Sequence, residues 1–242
     1  RSLPRWVSEV RAAGTPVSAV VVPFFKEKDT QLRVAAESAN AIIARGEHAL
    51  VVFVSNQPAH LFYRNVARAH ARLAPHIASG ACTLAPINTA DVQAMEYFMV
   101  EKFLNVHIGG RVVQSIHDRT GLVRRTFFLE ADVATAGSWV SAALDEATTS
   151  DVLVFQFEVG VAEENDSRPP RRDYSGSDAI LAKLFAAPLC HVVLGQPIEQ
   201  LFGGNFVLGP SALAAFLERL DASDHKESLV ESWLPAVMAT RR

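Results

Sequence analysis

Two apolar runs rich in β-branched residues constrain this chain most: VSAVVVPFF at 17–25 and HALVVFVSN at 48–56. Neither alternates apolar with polar residues, so neither can keep one face in water. Each reads as a strand buried on both faces, which requires helices above and below the sheet. The segment between them, TQLRVAAESANAIIARG at 30–46, has helical spacing and closes on Gly46, a residue suited to the left-handed turn that ends a helix. A strand, a helix and a second buried strand in that order form the unit of a parallel sheet.

The rest of the chain repeats the alternation. LPRWVSEVRAAG sets Leu3, Trp6, Val7 and Val10 at helical spacing and stops at Gly14, predicting an N-terminal capping helix over 1–14. PAHLFYRNVARAHARLA at 58–74 predicts a helix with Pro58 in its first turn. GACTLAP reads as a short third strand. TADVQAMEYFMVEKFLN at 89–105 reads as a helix capped by Thr89, its stripe of Val92, Met95, Phe98, Met99 and Phe103 facing the core. RRTFFLEAD is a further strand, SWVSAALDEATT a helix capped by Ser138, and DVLVFQFEV at 151–159 another strand. Residues 160–177, GVAEENDSRPPRRDYSGS, are polar with two prolines and are expected to form a mobile loop within one domain spanning 1–242. The fold class is α/β, a mostly parallel sheet flanked by helices. In such sheets ligands bind outside the carboxyl ends of the strands.

Composition narrows the function classes. The formal net charge is −3 over 242 residues, and the basic pairs Arg124-Arg125 and Arg171-Arg172 are short, so no nucleic-acid partner is expected. Cys82 and Cys190 lie far apart and form neither a disulfide framework nor a zinc pattern, which suits a reducing, cytoplasmic setting. No apolar run approaches the roughly 20 residues of a membrane span. A homo-oligomer is allowed.

Three polar clusters follow predicted strands. PFFKEKD follows the first; Phe24 and Phe25 there suit the walls of a flat nucleobase, with Lys26 beside them and Glu27 able to accept ribose hydroxyls, or the aromatics are core and the charges open a helix. SNQP, with Asn56, follows the second. EAD follows the fourth, and Glu130 and Asp132, separated by one residue, can share a divalent cation if the chain bends between them. Mg²⁺ and Mn²⁺ favour oxygen ligands and keep phosphate oxygens in their shell. The plain alternative is a solvated turn. Later, IEQLFGGNFVLGPSALAAF at 198–216 pairs Gly203 with Gly204, which lets backbone approach a ligand closely. Gln200 and Asn205 supply neutral groups suited to sugar hydroxyls, with a tight turn before a strand as the alternative.

Taken together these stretches resemble the GT-A glycosyltransferases, above all the retaining mannosylglycerate synthase type. VVVPFFKEK is similar to that family's first strand and its charged cluster. TFFLEADVATAGSW is similar to its Asp-Ala-Asp metal motif before a Trp-containing helix, and EQLFGGN to its Glu-Gln-Pro-Leu-Gly-Gly-Glu sugar segment. The resemblance runs over roughly residues 17–235 in order. It implies that Asp132 ligates Mg²⁺ or Mn²⁺, with Glu130 in place of the first Asp. It implies further that Phe24 and Glu27 hold base and ribose, that Gln200, Gly203 and Gly204 line the sugar pocket, and that Glu231 faces the acceptor. The expected substrates are a nucleotide-diphosphate sugar and a small hydroxylated acceptor.

The chain also departs from that family. NTADVQ stands where the family has a Gly-Lys-Gly stretch, GGN replaces Gly-Gly-Glu, and residues 106–120, VHIGGRVVQSIHDRT, read as an insertion. His225 is the one late histidine available to complete a metal site. His48, His60, His70 and His76 read as structural or solvated, and His107, His117 and Asp118 as candidates for substrate contact. Two functions compete: a metal-dependent hexosyltransferase, and a non-catalytic nucleotide- or sugar-binding protein of the same fold.

Overall fold

The computed structural model describes residues 2–24, 32–90, 101–129, 136–145, 152–154 and 206–222. The chain divides into two compact units, one built from Arg1–Leu153 and Gly204–Leu229, the other from Val154–Gly203 and Val230–Arg242. All described residues except Val154 belong to the first, which is an α/β unit. Its elements are α1 (Leu3–Ala13), β1 (Val17–Phe24), α2 (Arg33–Ala44), β2 (His48–Ser55), α3 (Ala59–Ser79), β3 (Cys82–Asn88), α4 (Glu101–Thr120), β4 (Val123–Phe128), α5 (Ala136–Asp145), β5 (Val152–Val154), β6 (Phe206–Leu208) and α6 (Pro210–Ala222).

The strands form one sheet in the order β3-β2-β1-β4-β6-β5. β1 pairs in parallel with β2 and β4, β2 in parallel with β3, and β6 antiparallel with β4. The two apolar runs that open the sequence are thus the centre of the sheet. Val17, Ala19, Val20, Val21, Leu50, Val51, Val52 and Val54 are all fully buried, as strands covered on both faces must be.

Prolines test the strand assignments. Pro23 lies within β1, which runs on to Phe24. The Val21 carbonyl accepts from the Leu129 N–H on the β4 side, and Pro23, two residues on, has the same orientation. Pairing with β4 stops at Val21–Phe128, so the missing N–H of Pro23 faces a side where no ladder continues. Pro86 lies within β3, an edge strand, where a proline is tolerated for the same reason. Pro75 lies inside α3, which runs past the expected end at 74 to Ser79. Gly80, at φ +88°, then turns the chain, and its carbonyl accepts the Trp6 indole N–H at 3.0 Å, docking α1.

Alternation along the strands sends consecutive side chains to opposite faces. On one face Phe127 meets Trp139 of α5, with ring centroids 5.9 Å apart. α5 lies against α2, where Gly137 approaches Glu37 and Arg45 forms an ion pair with Asp145 and bonds Ser141 at 3.1 Å. Helix α5 opens at or before Ala136, so Ser138 is interior to it and not its cap. On the other face Phe128 stacks on Phe206 at 4.7 Å and meets Phe216 of α6 edge-on at 6.0 Å.

Residues 106–120 form most of α4, a 20-residue helix lying on β1, β2 and β4. Its Gly109-Gly110 pair is not a loop signal but a packing device. A Cβ at Gly109 would sit 2.4 Å from Val21 Cγ1 and 3.2 Å from Val54 Cγ2, and one at Gly110 would sit 3.0 Å from Leu217 Cδ2. Glycine here lets the helix backbone rest on the sheet and lets α6 rest on the helix, at a helix-propensity cost of about 1 kcal/mol per residue. His107 and Arg111, one turn apart, both pair with Asp221 of α6, the former at 2.9 Å. Cys82, buried in β3, has its thiol pushed up to about 12 by desolvation and is chemically quiet.

Candidate functional site

The carboxyl ends of β1, β2 and β3 finish level, with Phe24 opposite Ser55 and Ser55 opposite Asn88. β4 joins this rim through Leu129, whose N–H continues the ladder to Val21 O at 3.0 Å. The crossovers from β1 to β2 and from β2 to β3 step in one direction across the sheet. The chain then returns to lay β4 on the opposite side of β1. The boundary between β1 and β4 is therefore the topological switch point of the sheet, the position at which open α/β sheets bind ligands.

The segments that leave the rim at this point are the ones the sequence singles out. Residues 25–31, holding Phe25, Lys26 and Glu27, follow Phe24, and Glu130-Ala131-Asp132 follow Leu129. These residues lie outside the described residues, as do Gln200, Gly203, Gly204, Asn205, His225, Glu231 and the 160–177 segment. Phe24 itself is only 1% exposed, and its ring lies 4.8 Å from that of Phe53. It is a core ring at the rim rather than an open platform, because β1 continues through Pro23 and carries Phe24 onto the same buried face as Phe53.

The second half of the rim is a buried network of neutral amides and hydroxyls. Pro58, extended at ψ 142°, precedes α3, and Asn56 and Gln57 form the turn before it. Gln57 is 3% exposed, with Oε1 accepting from Asn65 Nδ2 at 2.8 Å and its backbone carbonyl from Asn88 Nδ2 at 3.1 Å. The Ser55 carbonyl accepts the Thr89 N–H at 2.8 Å. The Thr89 hydroxyl, expected to cap a helix, lies 2.7 Å from Asn105 Oδ1 and 3.3 Å from Ser55 O. Four elements, β2, α3, β3 and α4, are thus joined at one corner. Asn56 is half-buried within that turn.

Because every member is neutral, the network holds its geometry without depending on pH. Its hydrogen bonds run within the chain, so it braces the rim. Thr89→Val removes the hydroxyl with little change of shape and leaves Asn105 Oδ1 short of a donor. The expected loss is about 1–3 kcal/mol, read as a shift of the urea midpoint. Combining it with Asn105→Leu should cost less than the sum of the two single changes. A wild-type midpoint for Thr89→Val would show the network to be idle.

Sequence reasoning placed Asn56 at a strand end but missed Asn65, Asn88 and Asn105. The signal for Asn65 was present, since it interrupts the buried stripe of Phe62, Ala69, Leu73 and Ile77 on α3. Asn105 was hidden by the expected helix end at that residue. The other candidates are accounted for locally. His117 Nδ1 lies 3.1 Å from the Val123 carbonyl, and Asp118 accepts from Gln114 at 2.7 Å. Among the described residues no group of three or more His, Cys, Asp and Glu side chains is arranged to hold a metal ion. None of the described helices is long and apolar enough to cross a membrane. Comparison with protein-family models, with curated proteins and with solved structures finds no match to this chain.

Proposed function

We propose that this chain is a GT-A-type, metal-dependent glycosyltransferase that moves a hexose from a nucleotide-diphosphate sugar to a small hydroxylated acceptor with retention of configuration. The observation that carries it is the switch point between β1 and β4. It is the position at which an open α/β sheet binds ligands, and the FKEKD and EAD segments leave the sheet there. Lys26 and Glu27 belong to the first of these segments, with Glu27 assigned to ribose hydroxyls. Glu130 and Asp132 present only oxygen donors, the ligand class that Mg²⁺ and Mn²⁺ prefer. A bound divalent ion would neutralise charge on the departing diphosphate. Gln200, Gly203, Gly204 and Asn205 are assigned to the donor sugar and Glu231 to the acceptor.

The reading is tested by incubating the chain with a panel of nucleotide sugars, with Mn²⁺ or with chelator, and measuring free nucleotide together with the melting temperature. Metal-dependent nucleotide release from one donor is the expected result. A metal-dependent rise in melting temperature without release would favour the second reading, a non-catalytic binding protein. That alternative draws support from NTADVQ at 88–93, which lacks the lysine of the resembled family. Neither release nor a melting shift with any donor would sink both.

A further inference from the structure

The segments assigned to nucleotide and metal have neighbouring anchors at both ends. On the sheet side, Phe24 closes β1 and Leu129 extends β4, and these two strands pair with each other. After the segments, the chain enters α2 at Arg33 and α5 by Ala136, and these helices also lie side by side. Their contacts run start to start and end to end. Gly137, near the start of α5, abuts Glu37 of α2, and Arg45, which caps the end of α2, reaches Ser141 and Asp145. The helices are therefore parallel, with their starts on the side of the sheet where β1 and β4 end. The seam between them is tight at that end and clasped at the other. A Cβ at Gly137 would stand 3.4 Å from both the Cβ and the carbonyl oxygen of Glu37, so a methyl group just fits. A bulkier side chain directed there must push α5 away from α2, because part of the obstacle is backbone. At the far end Arg45 grips both carboxylate oxygens of Asp145 in a fork, with Nη2 also 3.1 Å from Ser141 Oγ. The pair is exposed and adds little stability; its planar fork fixes how the helices lie.

We propose, resting on the assignment of those two segments, that the α2–α5 seam sets the separation of the nucleotide-holding and metal-holding parts of the site, with Gly137 as the positioning residue at its near end. Glu130 and Asp132 serve a nucleotide-diphosphate only if an ion on them also reaches its phosphate oxygens, at about 2.1 Å for Mg²⁺. The nucleoside is assigned to the first segment and the ion to the second, so the span between the segments must be kept. Paired strands fix one end of each segment, about 4.8 Å apart. The seam fixes the other end. Opening it moves the metal ligands relative to the nucleotide while leaving every ligand-contacting residue in place. A misplacement of about 1 Å costs on the order of 100-fold where groups must meet in register.

Calorimetric titration of the full chain with UDP, GDP, ADP, CDP and dTDP, each with Mn²⁺ and with chelator, tests this. In the parent, Mn²⁺ should tighten the binding of one of these nucleotides. Gly137→Val, whose β-branched side chain has little rotamer freedom in a helix, should lose that metal-dependent gain, by up to about 100-fold, and keep the parental affinity in chelator. Gly137→Ala adds only the methyl that fits and should lose much less. A merely structural glycine would instead shift the melting temperature and both affinities together. If Gly137→Val does not keep the parental melting temperature, Asp145→Arg serves. It sets two cations against each other at the exposed end of the seam and should reduce the gain about tenfold, with recovery in Arg45→Asp/Asp145→Arg. A full Mn²⁺-dependent gain in a folded seam variant overturns the inference and leaves the proposed function standing. No Mn²⁺-dependent binding of any of the nucleotides by the parent removes both.

Discussion

Gly109→Leu is expected to leave almost no soluble folded protein, and Gly109→Ala to lower stability by about 1–3 kcal/mol. Alanine is the better helix former by about 1 kcal/mol, so propensity alone predicts the opposite sign. Geometry decides: the new Cβ would fall 2.4 Å from Val21 Cγ1, and Val21 is a fully buried side chain at the centre of the sheet with no room to retreat. Val21→Ala removes the obstructing methyl and should by itself cost roughly 1.5 kcal/mol for two buried methyl groups. In the double variant the two losses should fail to add, by more than the ~0.5 kcal/mol expected of independent sites. Urea unfolding of the four proteins checks this, and strict additivity would mean that α4 can shift away from β1.

Asp132→Ala is expected to lower metal-dependent turnover on the order of 1,000-fold, the equivalent of about 4 kcal/mol of lost charge stabilisation. The melting temperature without ligand should hardly change. Glu130→Asp, which shortens one arm of the pair, should retain metal binding. Titration of Mn²⁺ in the presence of nucleotide separates these outcomes. Unchanged Mn²⁺-dependent nucleotide binding by Asp132→Ala would remove the metal from Glu130-Ala131-Asp132.

The centre of the sheet was legible in the sequence because burial on both faces leaves a continuous β-branched run. The expected bounds 17–25 and 48–56 differ by one residue at one end from the strands Val17–Phe24 and His48–Ser55. Helices were harder where small or special residues carry a tertiary role. Gly109 and Gly110 argue against a helix by propensity, and only the closeness of β1 and α6 explains them. Pro75 marked an end that α3 overrides. The carboxylates at 130 and 132 drew notice because charge interrupts an apolar run. The amide network at the ends of β2 and β3 did not, because its members come from four elements and meet only once the chain has folded.

β4 finds its antiparallel neighbour in β6, and the chain between Phe128 and Phe206 includes residues assigned to the other unit. During synthesis, then, the flank of β4 stays open until some eighty further residues have emerged, and the ring of Phe128 waits for Phe206 and Phe216. A contact so distant along the chain closes late, since the entropy of a long loop must be overcome before the contact forms. A fragment ending at residue 153 would therefore carry a bare strand edge beside an uncovered aromatic, the combination that invites chains to pair with each other. For this fold the last step of assembly is also its protection against aggregation.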